Sequence, residues 1–135
     1  MARLNKTKLD SVHLHKLYDR LNTYIGGMRA QEADAFLQEL LGPEERIMVA
    51  KRFAAIVMIA EGHSLYRTSE TLKISSGTAE RIKQRINKGS YDHLLQLLKS
   101  RTRNYTAVLQ LIDDILHLGG ILPHYNSIER YKHIR

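Results

Sequence analysis

One short segment of the sequence, SSGTAERIKQRINKG at residues 75–89, has residue types that suit contact with a nucleic-acid groove. Serine, glycine and threonine come first, and arginines and lysines follow at the spacing of helical turns. The first residues of a helix that enters the major groove of DNA lie nearest the base edges, where short polar side chains fit. Longer cationic side chains further along reach phosphates or a guanine edge. The candidate DNA-contacting residues in this segment are Ser75, Ser76, Gly77, Thr78, Arg81, Lys83, Arg85 and Lys88.

These residues lie on the second of two predicted helices that are joined by a tight turn. The pattern predicts a helix-turn-helix at about residues 64–88, with its turn at residues 73–75. On the first helix of the pair, Tyr66 and Arg67 are further candidate DNA contacts, because from there they could steady the phosphate backbone. The motif and its charges together predict a surface that binds duplex DNA.

The second helix of the pair has a predicted apolar side and one acidic residue that does not fit the pattern. Ala79, Ile82 and Ile86 fall on one face of the helix and are expected to pack inward. Glu80 is an acid in a segment that is expected to face phosphates. A carboxylate is repelled there unless it accepts a hydrogen bond from a cytosine amino group or pairs with a neighbouring arginine. The sequence leaves both alternatives open.

Positive charge is concentrated in the middle of the chain. The whole sequence has 21 lysines and arginines against 14 aspartates and glutamates, for a net charge of +7. Residues 62–103 hold 9 of the basic and 3 of the acidic side chains. A localised basic surface attracts a polyanion through counterion release, so double-stranded DNA is the expected partner. The alternatives are a basic surface that is merely solvated, and a helical dimeric interaction module that binds RNA or an acidic protein.

The rest of the sequence also predicts helices, and we therefore expect an all-α fold. The chain has only 2 prolines, and its apolar residues recur at helical spacing between glycines. One predicted helix stops at Gly26-Gly27 and a second stops at Gly42. Further along, Ser90 is the expected N-cap of another helix.

The predicted organisation is a single helical domain at residues 1–119, followed by a basic tail at residues 120–135. The last helix of the domain, at about residues 103–118, has an apolar stripe from Tyr105 to Leu116. A stripe of this width fits a helix that enlarges the core better than one that covers the helix of a partner protein.

The helix predicted at about residues 43–61 is unusual because residues 53–60 are apolar on every face. A helix that is apolar all round must be covered on all sides. A chain of 135 residues has difficulty surrounding one of its own helices so completely. We therefore expect a second subunit to cover this helix, in a homodimer.

Three stretches of the sequence carry a resemblance to a known family: LGPEER at residues 41–46, the long apolar helix that follows, and SSGTAERIKQRINKG. They resemble the Trp repressor family and, more closely, its relatives known as YerC/YecD-type regulators, over about residues 36–98. The resemblance implies a Trp-repressor-like helical bundle, here with an extra C-terminal helix, that forms an intertwined homodimer and binds operator DNA through a helix-turn-helix. The implied function is a sequence-specific transcriptional regulator, with repression the expected mode. Lys73 departs from the family, which usually has glycine at that turn, and this leaves the turn geometry open, although lysine can take a non-glycine turn conformation at modest cost.

The same resemblance implies a ligand pocket in which two arginines hold a corepressor, and their matches here are Arg52 and Arg81. Elsewhere the pocket differs, because Arg85 places a bulky cation where an indole ring would lie. A small-molecule corepressor is compatible with the sequence, but L-tryptophan is not expected to bind. The favoured alternative for Arg52 is an ion pair with Glu44 or Glu45, within or between subunits.

We expect neither an enzyme nor a cofactor or metal site. No nucleophile, base and orienting group can be assembled, and no glycine-rich phosphate loop is recognisable. The 7 histidines lack the spacing of metal ligands, since His13 and His15, for example, fall on different faces of a helix. The absence of cysteine excludes disulfides and favours a cytoplasmic protein. The longest apolar run, residues 53–60, is far shorter than the roughly 20 residues of a membrane span, and no signal-peptide core is recognisable.

Overall fold

The computed structural model describes residues 8–118, and over that range the chain is all-helical, with seven α-helices and no strand. The predicted all-α class is confirmed for this part, and the predicted tail at residues 120–135 lies outside the described residues. The chain forms two compact units, Met1–Val49 and Ala50–Arg135, which we describe separately. The helices are α1 Ser11–Gly26, α2 Ala30–Leu40, α3 Pro43–Ala60, α4 Leu65–Leu72, α5 Ser76–Asn87, α6 Asp92–Ser100 and α7 Thr102–Leu118.

In the first unit, α1 and α2 have the predicted positions but bury none of their residues. The side chain of Asp10 caps α1 by accepting a hydrogen bond from the backbone N–H of Val12, at 3.1 Å. The helix ends at Gly26-Gly27, as predicted, where the N–H of Gly27 bonds the Thr23 carbonyl. The apolar side chains of α1 that remain exposed are Val12, Leu14, Leu17, Tyr18, Leu21, Tyr24 and Ile25.

Charged side chains stabilise the start of α2 and the connection to α3. Arg29 donates to Glu32 from both its backbone N–H and its guanidinium, and the backbone bond is the one that a capping box forms between the N-cap N–H and the third residue of the helix. The guanidinium hydrogen bond, followed by the backbone one, holds the pKa of Glu32 below its ordinary value. Glu45 accepts a hydrogen bond from the N–H of Gly42 at 2.9 Å, and Arg46 pairs with Asp34.

The core of the second unit is built around the C-terminal half of α3. Five consecutive residues, Ala55–Ile59, are at most 3% exposed, so this part of the helix is buried on all sides. The argument that a second subunit is needed to cover it is therefore wrong, because helices of the same chain do so. The residues that complete this core are Leu72, Ala79, Ile82, Tyr105, Leu109, Ile112 and Leu116.

The apolar stripe predicted on the C-terminal helix is confirmed. Tyr105 and Leu116 are at most 2% exposed, and α6 packs against α7. The phenolic hydroxyl of Tyr105 donates a hydrogen bond to Glu61, just beyond the end of α3. The helix thus enlarges the core of its own chain, as the spacing of its apolar residues predicts.

The predicted N-cap at Ser90 is wrong, since the residue at the cap position of α6 is Tyr91, which makes no side-chain capping bond. The backbone N–H of Ser90 bonds the Arg85 carbonyl at 2.9 Å and so belongs to the end of α5. Gly89 has a positive φ of 83° there, a left-handed conformation that suits glycine. None of the helices in the described part of the chain is long and apolar enough to span a membrane.

Candidate nucleic-acid interface

Helices α4 and α5 pack against each other and are joined by a short turn. Their bounds agree with the two helices and the turn predicted at residues 64–88. Lys73 ends α4 in the left-handed conformation, with φ 56° and ψ 51°, and is the one non-glycine residue with positive φ among residues 8–118. This is the turn geometry that the sequence left open. The next residue, Ile74, donates its N–H to the Ser69 carbonyl at 3.1 Å and secures the turn.

A lysine on α3 also holds this turn, which the sequence did not predict. The Nζ atom of Lys51 donates a hydrogen bond to the carbonyl oxygen of Lys73 at 3.1 Å. This carbonyl lies at the C-terminal end of α4, where an ammonium group is electrostatically favourable. The two residues are 22 positions apart, and no local pattern in the sequence connects them.

Helix α5 buries one side in the core and leaves the other exposed. Ala79 is fully buried and Ile82 is 5% exposed, while Ile86 packs partly buried against the same core. The inward face predicted from the spacing is therefore confirmed. Among the candidate DNA contacts, Arg67 and Thr78 are half-buried; the exposed ones are Tyr66, Ser75, Ser76, Gly77, Arg81, Lys83, Arg85 and Lys88. We call these ten residues the α4–α5 surface.

The first turn of α5 is ordered by a chain of side-chain hydrogen bonds. The Ser75 hydroxyl caps the helix by accepting from the Thr78 N–H at 3.1 Å, and it donates to Thr78 Oγ1 at 2.8 Å. Thr78 Oγ1 also accepts a hydrogen bond from Arg81 Nη2, at 3.1 Å. The sequence placed these three residues on the candidate surface but did not predict that they bond one another.

The remaining cations of α5 and its one acid are differently placed. Lys83, Arg85 and Lys88 are exposed, and their side chains make no hydrogen bond or ion pair with other residues between 8 and 118. Glu80 is also exposed and has no arginine partner in that range. Of the two alternatives for Glu80, pairing with a neighbouring arginine is therefore not found, and acceptance from a cytosine stays a prediction.

The two arginines of the predicted ligand pocket differ in whether their side chains have a bonding partner. Arg52 is exposed and forms no ion pair with any described residue, so a partner carboxylate within the subunit is not found. An intersubunit partner stays a prediction. The guanidinium of Arg81 is engaged by Thr78. No group of three or more acidic or histidine side chains suited to a metal ion occurs among residues 8–118.

An open apolar groove of about 540 Å³ lies elsewhere on the second unit, and no pattern in the sequence predicted it. Phe53, on α3, forms part of its wall and is 37% exposed. The groove becomes visible only when three helices are brought together, which explains why no local pattern revealed it. Its other lining residues come from α6, from the single residue between α6 and α7, and from the start of α7; they are His93, Leu94, Leu97, Leu98, Arg101 and Asn104.

Comparisons with known proteins add no family assignment. No family model matches the chain, and neither the curated proteins nor the solved structures contain a match. The resemblance to the Trp repressor family, which rests on residues 36–98, stays a prediction.

Proposed function

We propose that this protein is a dimeric, sequence-specific DNA-binding transcriptional regulator of Trp-repressor-like fold that acts in the cytoplasm. In this proposal α4 and α5 form a helix-turn-helix and α5 enters the major groove. The proposed role is DNA binding, without enzymatic activity. Repression is the proposed mode of regulation.

The observation that carries the proposal is the two-sided character of α5. One side is anchored by Ala79 and Ile82, which are at most 5% exposed. The other side presents a polar first turn and then cations, of which Lys83, Arg85 and Lys88 have no partner among the described residues. A recognition helix needs this combination, because its backbone must be held rigidly while its outer side chains meet bases and phosphates.

The distribution of charge supports DNA over the other candidate partners. The segment 62–103, which contains α4 and α5, carries 9 basic and 3 acidic side chains. The α4–α5 surface contains Arg67, Arg81, Lys83, Arg85 and Lys88, against two exposed acids on the same helices, Glu70 and Glu80. Such a surface releases counterions when it meets a phosphate backbone.

The alternative of an RNA- or protein-binding module depends on a C-terminal region, residues 103–135, that is free to cover a partner. The structure describes this region up to residue 118. In α7, however, Leu109 and Ile112 are at most 2% exposed and belong to the core of the same chain.

A homodimer is supported by exposed apolar side chains, although residues 55–59 do not require one. In the first unit α1 and α2 bury no residue, and Leu17 and Tyr24 are 58% and 67% exposed. The second unit separately has the apolar groove that includes Phe53. Apolar surface of this extent on a folded chain marks an interface, and a second copy of the chain is the occupant that the resemblance implies.

The test is selection from random duplex DNA by the purified protein. The enriched sequence is then compared with a scrambled duplex from low to physiological salt, because affinity for DNA has meaning only at a stated salt concentration. We expect one pseudo-palindromic sequence, with half-sites about 34–36 Å apart, to outcompete scrambled DNA at physiological salt. Equal loss of binding to all sequences as salt rises would leave only a non-specific basic surface.

The proposal includes no role for L-tryptophan. Arg85 is exposed and charged at the position where the resemblance would place an indole ring. We expect titration calorimetry with L-tryptophan to give no binding heat, and micromolar affinity would contradict this. A different small molecule that binds Arg52 is still compatible with the proposal, since that arginine has no partner among residues 8–118.

A further inference from the structure

The guanidinium of Arg81 is held at the N-terminal end of α5. Its Nη2 atom donates to Thr78 Oγ1 at 3.1 Å, one turn earlier in the helix. Side chains of a helix lean toward its N-terminus, so this bond extends the normal direction of the arginine. The guanidinium also lies beside the bare backbone of Gly77, where an added Cβ would be 3.7 Å from Nη1.

Helix stability does not account for this position. A cation near a helix N-terminus is opposed by the positive end of the helix dipole. Arg81 is exposed, so its bond to Thr78 competes with water and offsets this repulsion only weakly. An arginine that is nevertheless fixed here, at the end of the helix that would enter the groove, is placed for contact with a ligand.

The donors and acceptors that remain free on Ser75, Thr78 and Arg81 determine which hydrogen-bonding groups the ligand must present. Thr78 Oγ1 accepts from both Ser75 and Arg81, which occupies its two lone pairs and leaves its own proton to donate. Arg81 has five N–H groups and uses one on Thr78, so four are left to donate outward. The side chains of Arg81 and Thr78 therefore have only donors left, while Ser75 Oγ keeps one free lone pair.

In the major groove, guanine is the base that presents two neighbouring acceptors. Its N7 and O6 atoms both accept, whereas adenine pairs its N7 acceptor with an amino donor. A fork of two N–H groups from arginine matches the guanine edge and is the commonest base-specific contact in protein–DNA complexes. We propose that Arg81 recognises one guanine in each operator half-site, and that Thr78 and Gly77 position its guanidinium for this contact.

This inference rests on the proposed DNA-binding function and adds a division of labour along α5. Lys83 and Arg85 are exposed and lack a partner among residues 8–118 that would fix their direction. Flexible cations of this kind contact phosphates, which fixes the position of the protein on DNA but does not select a sequence. Arg81, by contrast, determines specificity.

The first arm of the test repeats the duplex selection with Arg81→Gln and, as the matched control, Arg85→Gln. Both changes remove one positive charge from the exposed side of the same helix. Arg81→Gln should abolish the preference for guanine at one position of each half-site, a loss of about 5- to 150-fold in discrimination, or shift it to adenine. Arg85→Gln should retain that guanine, weaken binding to all sequences alike and reduce the salt slope by about 1.

The second arm changes the DNA and measures the wild-type protein on it, so an effect of a substitution on folding cannot explain the result. Each guanine of the selected site is replaced in turn by 7-deazaguanine, which lacks the N7 acceptor. The wild-type chain should lose affinity at one guanine per half-site, and Arg81→Gln should be indifferent to the same replacement. Thr78→Val, which removes the hydroxyl that holds Arg81, should reduce the wild-type sensitivity at that guanine.

The outcomes separate the two proposals. A wild-type protein that enriches no sequence overturns the proposed function together with this inference. A wild-type protein that enriches a sequence, but is insensitive to 7-deazaguanine at every guanine, overturns the role of Arg81 alone. The same conclusion follows when Arg81→Gln selects the unchanged site with its guanine preference intact.

Discussion

Lys51 and Lys73 are joined by a hydrogen bond of 3.1 Å from the Nζ atom of the first to the carbonyl oxygen of the second. The bond connects α3, whose later residues form the centre of the core, to the turn that precedes α5. Because Lys73 is itself in a left-handed conformation, the Lys51 ammonium stabilises a strained point of the chain. The turn before α5 is thus bonded by a residue outside the α4–α5 pair.

Lys51→Met tests the contribution of this bond to stability. Methionine retains an apolar stem of similar length but cannot donate, so we expect the free energy of unfolding to fall by about 1 kcal/mol. The matched control is Lys83→Met, at an exposed lysine of α5, which should change it by less than about 0.5 kcal/mol. Both are measured by denaturant unfolding at one protein concentration, because dimerisation would make stability depend on concentration. Equal free energies of unfolding for the two variants would show that the Lys51 bond does not contribute to stability.

Substitutions at Lys73 test the strain in the turn. Glycine adopts the left-handed conformation without a steric penalty, so Lys73→Gly should raise the free energy of unfolding by about 0.5–1 kcal/mol. Lys73→Val should lower it by about 1–2 kcal/mol, because a β-branched residue is disfavoured at positive φ. A Val variant as stable as the wild type would contradict the left-handed geometry.

Local pattern was sufficient to predict the helices and the face of α5 that is buried. Gly26-Gly27 ends α1, and Ala79 and Ile82 lie inward, because glycine termination and helical spacing are properties of neighbouring residues. These features need no knowledge of the rest of the chain. The same spacing identified α7 as a core helix.

Features that depend on residues distant in sequence were not predicted. The Lys51–Lys73 bond and the groove at Phe53 arise only when helices are packed together. The error over Ala55–Ile59 has the same origin, since hydropathy shows that a helix must be covered but does not show by what. The prediction of an N-cap at Ser90 failed for a local reason. Gly89 adopts a left-handed conformation, and the N–H of Ser90 then bonds the end of the preceding helix.

A comparison of Ser75→Ala with Ser90→Ala tests the cap that the structure shows against the cap that the sequence predicts. Only the Ser75 hydroxyl accepts from a helix N–H, at 3.1 Å from the Thr78 nitrogen. We expect Ser75→Ala to cost about 1 kcal/mol of stability, and Ser90→Ala to be close to neutral. The measurement is thermal unfolding followed by circular dichroism. If Ser90→Ala were the more damaging of the two, the start of α6 would have to be revised.

The exposed apolar side of α1 predicts how the chain associates. Leu17 is 58% exposed on that side, whereas Thr23 lies on the polar side of the same helix. Leu17→Lys should convert a dimer into monomer at micromolar concentration, because a buried ammonium without a partner is costly. Thr23→Lys adds the same charge and should leave the mass unchanged. Sedimentation velocity distinguishes these results, and a wild-type chain that is already monomeric would contradict the proposed dimer.

Two threonines on α4, one turn apart, should respond in opposite ways to the same substitution. The Thr68 hydroxyl is fully buried and donates to the Ser64 carbonyl at 2.8 Å. The Thr71 Oγ1 atom is also buried, but it has no hydrogen-bond partner among residues 8–118. Valine has the shape of threonine without its hydroxyl, so each replacement isolates the effect of one polar group.

Thr68→Val removes a satisfied hydrogen bond and should destabilise the protein by about 0.5–1.5 kcal/mol. Thr71→Val removes a polar group that lost its contact with water on folding without gaining a partner, so it should stabilise the protein by about 1 kcal/mol. Both variants keep the α4–α5 surface intact, and their unfolding midpoints in urea can be compared directly. A loss of stability in Thr71→Val would mean that this hydroxyl does form a hydrogen bond, and that this bond helps to hold α4 in place.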